Sequence, residues 1–87
     1  EIEIPNVITP NGDNINDILI IKNIEYQYDN KLIIYNRWGN VIREYMPYQN
    51  EWDGTDSDGN SVPEGTYFYI LWLIDGRHFQ GSINVER

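Results

Sequence analysis

Eighty-seven residues with six basic and fourteen acidic side chains, a formal charge of −8 and no cysteine narrow the possibilities at once. They make one small domain, which buries only about 60–65% of its unfolded surface, so the 14% aromatic content must supply much of the core. Disulfides, thiolate metal sites and a cysteine nucleophile are excluded, and six scattered basic residues are too few to neutralise phosphates, which excludes nucleic acid as a partner.

In chain order, Glu1–Ile4 alternates apolar and polar residues with period two, and Pro5 suits the end of an edge strand. The stretch from Ile8 to Asp17 puts Pro10, Gly12, Asp13, Asn14, Asn16 and Asp17 within eight residues. Pro10 fixes one φ, Gly12 permits a positive one, and the Asp and Asn side chains can bond nearby N–H groups, so a shaped loop is expected. Ile18–Ile21 reads as a short apolar strand. Lys31–Arg37 and Val41–Tyr45 flank Trp38-Gly39-Asn40, the pattern of a hairpin with a bulge. Residues 48–65 read as loop, with Trp52 as its apolar anchor. Thr66–Ile74 is the most strand-like run, followed by Asp75-Gly76 as a type I′ turn and by Arg77–Val85 as the last strand. Short strands at this spacing predict an all-β fold, an antiparallel β-sandwich. No run reaches the roughly 18 apolar residues of a membrane span, so the domain is not expected to be membrane-embedded.

Both faces of Thr66–Ile74 are apolar: Tyr67, Tyr69, Leu71 and Leu73 on one, Phe68, Ile70, Trp72 and Ile74 on the other. Either a long loop, such as the one carrying Trp52, folds over the outer face, or that face is an aromatic docking patch. Two stretches raise the question of calcium. Asn11, Asp13 and Asp17, with the Ile15 carbonyl between, offer oxygens at nearly alternate positions, and Asp56-Ser-Asp58-Gly-Asn60 begins in the same way. The competing readings are Asx-turn bonding in the first loop and a plain hairpin turn in the second. The acids Glu51, Asp53, Asp56, Asp58 and Glu64, with no base among them, read as a solvated loop. Catalysis has little support: His78 is the one histidine and is expected to face solvent or pack on its hairpin, and Ser57, Ser61 and Ser82 lack a nucleophile-elbow context. The chain is not expected to be an enzyme.

Four ordered blocks carry a family resemblance: ITPNGDNIND at 8–17, IYNRWGN at 34–40, WDGT at 52–55 and PEGTYFY at 63–69. Together they resemble the gliding-motility-associated C-terminal domain, the type B sorting domain of the type IX secretion system of Bacteroidota. Asn14 stands where that family more often has Gly, and Asn tolerates the αL region fairly well. The resemblance implies an immunoglobulin-like sandwich of about seven strands. The chain, which starts at Glu1 without an initiator Met, is then a single C-terminal sorting domain excised from a larger secreted protein. It directs cargo through the periplasm and outer membrane to the cell surface or medium. The implied partner is a PorP/SprF-like outer-membrane β-barrel, and the domain is read as a monomer without a cofactor, calcium apart.

Candidate recognition surfaces are the loop residues Thr9, Pro10, Asn11, Gly12, Asp13, Asn16 and Asp17, the hairpin tip Arg37, Trp38 and Gly39, and the outer face of Thr66–Ile74. Trp52, Asp53, Gly54, Gly65 and Tyr67 are read as structural, a set also similar to the immunoglobulin-like part of flagellar hook-cap proteins. Trp52 plugs the sandwich end in this reading, Asp53 caps backbone N–H groups, and Gly65 turns the chain into its strand. Two alternatives stay open: a carbohydrate- or surface-binding module using Trp38, Tyr48, Trp52 and Trp72 as a stacking platform, and a calcium-stiffened stalk domain.

Overall fold

The computed structural model describes Glu1–Arg87 and holds five strands in one sheet. They are β1 (Val7–Ile8), β2 (Lys31–Tyr35), β3 (Val41–Tyr45), β4 (Gly65–Trp72) and β5 (His78–Val85), with one 3₁₀ turn at Ile24–Tyr26. The spatial order is β1-β5-β4-β2-β3. All pairings are antiparallel except β1 with β5, which is parallel.

Alternation builds the core on one face of this sheet. Leu32 pairs with Tyr45 and Leu71, and Tyr67 pairs with Ile83, so their side chains line up on the inner face. That face is covered by segments that lie outside the strands, which contribute Leu19, Ile21, Ile24, Tyr48, Trp52 and Val62 to a single buried cluster. Trp52 is fully buried and anchors this layer, as its sequence context predicts. A side chain of that size accounts for about 3–5 kcal/mol on truncation to Ala.

Polar groups carried inward with these residues are paired. Tyr48 Oη donates to the Leu19 carbonyl at 2.6 Å and accepts from the Trp52 N–H at 3.0 Å, while Leu19 N–H donates to the Trp52 carbonyl at 2.9 Å. Buried Asn30 accepts from the Tyr48 N–H through Oδ1 at 2.7 Å and donates from Nδ2 to the Gln27 carbonyl at 2.7 Å. Two stretches of coil are thereby fixed to each other without a strand ladder.

Several expectations need correction. Glu1–Ile4 forms no strand; only Glu3 makes a bridge, with Lys22, and the first strand is Val7–Ile8 instead. Ile18–Ile21 is not a ladder strand either: Leu19 and Ile21 point inward while Ile18 and Ile20 are exposed. Its uniform apolarity hid that two-residue period. Asp75-Gly76 is not a type I′ turn. Leu73 N–H donates to the Arg77 carbonyl at 2.9 Å and Gly76 N–H to the Leu73 carbonyl at 3.0 Å, which closes a three-residue loop with positive φ at Gly76 alone.

The same loop occurs three times. Asn36–Asn40 and Asp56–Asn60 repeat both hydrogen bonds, with Gly39 and Gly59 as the residue of positive φ. In each of these two the first side chain braces the loop: Asn36 Oδ1 accepts from the N–H of Trp38 and Asn40, and Asp56 Oδ1 from those of Asp58 and Asn60. A type I turn followed by an αL residue needs Gly at that last position, which explains the recurring spacing. The expected bulged hairpin at Trp38–Asn40 is observed, with a register shift between Ile34 and Tyr35, and Asp58-Gly59-Asn60 is a hairpin turn closed by a bridge between Thr55 and Ser61.

Candidate recognition surface

The loop from Thr9 to Asp17 is organised around one carboxylate. Asp17 Oδ1 accepts from the N–H groups of Asn11 and Gly12, each at 3.1 Å, and Oδ2 from that of Asn14 at 2.7 Å. Asn11 Oδ1 accepts from Asp13 N–H at 3.2 Å and Asp13 Oδ1 from Ile15 N–H at 2.9 Å, two successive Asx turns. Thr9 closes the loop neck: its Oγ1 donates to the Ile15 carbonyl at 3.0 Å and its N–H to the Asn16 carbonyl at 2.7 Å. The oxygens considered for calcium, on Asn11, Asp13, Ile15 and Asp17, thus each accept a hydrogen bond from the loop itself. Asn14 and Asn16 have φ of +66° and +55°, the left-handed region that Asn tolerates better than most residues.

This bonding presents apolar surface. Ile15 is 64% exposed beside the loop neck. Beside it, Asn14, Asn16 and Asp17 line a shallow groove together with Val7 and the exposed Ile18 and Ile20.

Arg87, a residue that sequence reasoning did not single out, holds the loop to the body. Its guanidinium donates to the carbonyls of Pro10, Gly54 and Val62, and its backbone N–H donates to Glu64 Oε1 at 3.3 Å. Gly54 lies directly under Pro10: a Cβ there would sit 3.1 Å from Pro10 Cγ, on a backbone with φ of +83°. A C-terminal arginine carries no sequence signal for this role, since its partners are three carbonyls from distant segments.

Of the remaining structural candidates, Tyr67 is buried and its Oη donates to the Pro63 carbonyl at 2.6 Å. Gly65 opens β4. Asp53 departs from expectation: its Oδ1 accepts from Thr55 Oγ1 at 2.6 Å rather than capping a backbone N–H. Trp52 Nε1 spans the same turn, donating to the Thr55 carbonyl at 2.9 Å.

The outer face of the sheet is open. Phe68 and Trp72 are each 43% exposed, and no loop covers them, because the segment carrying Trp52 packs into the core on the opposite face. Residues pair across it in rows, Tyr35–Phe68–Ser82 and Lys31–Trp72–His78. His78 stacks on Trp72 with ring centroids 4.8 Å apart, and Lys31 Nζ lies 3.1 Å from Glu44 Oε2. At the hairpin tip the Arg37 guanidinium lies over the exposed Trp38 ring at 4.5 Å.

The four-ring sugar platform does not form. Tyr48 and Trp52 are buried, and Trp38 and Trp72 sit at opposite ends of the sheet, since Tyr35 pairs with Phe68 where Lys31 pairs with Trp72. Burial raises the pKa of Tyr48, and also those of Tyr45, Tyr67 and Tyr69.

Comparison with known proteins agrees with this geometry. No curated protein matches the chain. Among solved structures, PorZ, described as an essential bacterial surface component of the type-IX secretion system of Porphyromonas gingivalis, superposes with a TM-score of 0.70 at 19% identity. The match covers 99% of this chain and 11% of that one, so the chain spans about a tenth of the length of PorZ and the likeness is one of fold. The profile of the CHU_C Type IX secretion signal domain matches residues 2–85, and the chain belongs to that family: it is a secretion signal domain that marks its cargo for export by the type IX system to the cell surface or medium.

Proposed function

We propose that the domain is read as a folded object, by docking of its Thr9–Asp17 loop against a component of the type IX machinery, a PorP/SprF-like outer-membrane β-barrel being the partner class implied by its family. The observation that carries this reading is the Asp17 network. It spends a carboxylate and two Asx turns on shaping a loop that leaves Ile15 exposed and whose Asn14, Asn16 and Asp17 line a groove with the exposed Ile18 and Ile20. Pre-organisation of this kind lowers the ordering cost of binding. The hairpin tip Arg37–Gly39 and the outer face of β4 are further parts of the surface available to a partner.

The same reading includes a two-layer immunoglobulin-like sandwich. Tyr67 supports it, since its hydroxyl bonds back to the carbonyl four residues upstream, as in the tyrosine corner of such sandwiches. The Glu3–Lys22 bridge and the Leu19–Trp52 hydrogen bond would belong to the second layer, whose strands are reduced to single contacts.

The test is export of a fluorescent reporter fused ahead of residues 1–87, in a competent host and in a mutant without the translocon. Export is expected only in the competent host, and Ile15→Asp is expected to reduce it while leaving the melting temperature within about 2 °C, because an exposed substitution costs little stability. Wild-type export by the Ile15→Asp and Asp17→Ala variants alike would remove the loop from recognition.

A further inference from the structure

The two edges of the sheet are treated differently by the sequence. The β3 edge is guarded. It carries the register shift beside Ile34 and Tyr35, the charged Arg43 and Glu44, and a covering segment whose Ser57 Oγ donates to the Ile42 carbonyl at 3.0 Å. Arg43 Nη1 reaches the same segment, donating to the Asp56 carbonyl at 2.8 Å.

On the opposite side β1 covers β5 only at Asn84 and Val85. Asn84 N–H donates to the Asn6 carbonyl at 2.8 Å and Glu86 N–H to the Ile8 carbonyl at 3.0 Å. Because backbone direction alternates along a strand, the N–H and C=O groups of Gln80 and Ser82 point to that same side, where no strand pairs with them. The N-terminal segment has left the sheet by then, with Glu3 bridged to Lys22 in the covering layer.

Open edges in soluble proteins are usually blunted by lysine, proline, a bulge or a short strand. Gln80-Gly81-Ser82 has no charge and no proline, and β5 keeps unbroken register with β4 over eight pairs from Gly65–Val85 to Trp72–His78. We infer that the free β5 edge at Gln80–Ser82 is a strand-addition site that takes an extended, uncharged segment of the export machinery. The inference rests on the reading of the domain as a folded object docked by the export machinery and adds a second contact beyond the Thr9–Asp17 loop.

The chemistry of the edge selects this occupant. A row of donors and acceptors at every second residue is complemented by another backbone and by little else. On the outer face alternate side chains of the added strand would stand beside the uncharged Gln80 and Ser82, with Phe68 one strand further in. On the inner face the Tyr69 ring lies over Gly81, so closely that a Cβ there would come within 2.9 Å of Tyr69 Oη. The edge is therefore flat and packed on one side and open on the other.

The experiment uses the reporter fused to the whole domain in the competent host. Gln80→Pro removes an outward N–H, and Ser82→Lys places a charge on the edge; both leave the β4 ladder intact. Export is expected to fall at least tenfold in each, with the far-UV spectrum retained. Should Gln80→Pro fail to fold, Ser82→Lys decides. Wild-type export of a folded Ser82→Lys variant overturns the inference, as does an equal loss from Glu44→Lys on the guarded edge. A wild-type domain that dimerises in solution, with dimers lost in the variants and export unchanged, overturns it in favour of a second copy. Retention of the wild-type fusion sinks the docking reading itself, whereas wild-type export with unaffected variants sinks only this one.

Discussion

Trp52 donates its backbone N–H to the hydroxyl of Tyr48 at 3.0 Å, and both side chains are buried. That hydroxyl also donates to the Leu19 carbonyl, so it satisfies one donor and one acceptor inside the covering layer. Tyr48→Phe leaves both unpaired and is expected to cost about 2–4 kcal/mol, a fall of roughly 10–20 °C in melting temperature for a domain of this size. Tyr45 provides the contrast. Its ring packs edge-on against Tyr48 at 5.0 Å, but its hydroxyl has no hydrogen-bond partner. Tyr45→Phe should change stability by less than about 0.5 kcal/mol or raise it. Thermal melts of the two variants check the pair.

Alkaline unfolding should report the same residues. Burial raises the pKa values of Tyr45, Tyr48, Tyr67 and Tyr69 above the ordinary phenol value. The unfolded chain gives up these protons near pH 10 while the folded chain keeps them. Stability is therefore whole below about pH 10 and falls as the pH climbs beyond it. Phenolate absorbance from these four rings is expected to rise together with loss of the far-UV signal. Smooth titration of all seven tyrosines with the fold intact would contradict it.

Gly54 and Gly59 share a φ near +84° but differ in their neighbours. Gly59→Ala meets nothing within 4 Å, so only the left-handed backbone opposes it, at about 1 kcal/mol. Gly54→Ala adds a contact with Pro10 Cγ at 3.1 Å and should cost about 2 kcal/mol, loosening the Thr9–Asp17 loop from the body. Equal melting temperatures for the two variants would mean that Pro10 yields freely.

Calcium is expected to matter little to stability. A cation at Asn11, Asp13, Ile15 and Asp17 would compete with the N–H and hydroxyl donors these oxygens already serve. Adding millimolar calcium or a chelator should move the melting temperature by less than about 2 °C, whereas saturation at 100 times Kd would stabilise by about 2.7 kcal/mol. A rise of that size, abolished by Asp17→Asn, would instead assign the loop to calcium.

Much of this molecule was legible in the chain. Lys31–Tyr35, Val41–Tyr45 and Thr66–Trp72 are ladder strands that their β-branched and aromatic residues and the turn residues between them marked in the chain, because such side chains suit a pleated, half-buried surface. The bulged turn at Trp38–Asn40 follows from where Gly39 sits, and the crowd of Asp, Asn and Gly before Ile18 announces a shaped loop. The four sequence blocks name the family. Local chemistry of this kind needs no tertiary partner.

What the tertiary structure decided are the relations between distant segments. Ile18–Ile21 and Glu1–Ile4 have strand-like sequences but almost no ladder, since a strand also requires a neighbour within hydrogen-bonding distance. Whether Trp52 covered the outer face or filled the inner one depended on which side the loop crossed, and both faces of Thr66–Ile74 were apolar enough to accept it. Arg87 gains its role from three carbonyls that lie between 25 and 77 residues away. The open edge of β5 exists because β1 pairs over two residues and then departs. Sequence determined which residues can form a strand, a turn or a core; packing alone determined which of them found partners and which were left facing outward.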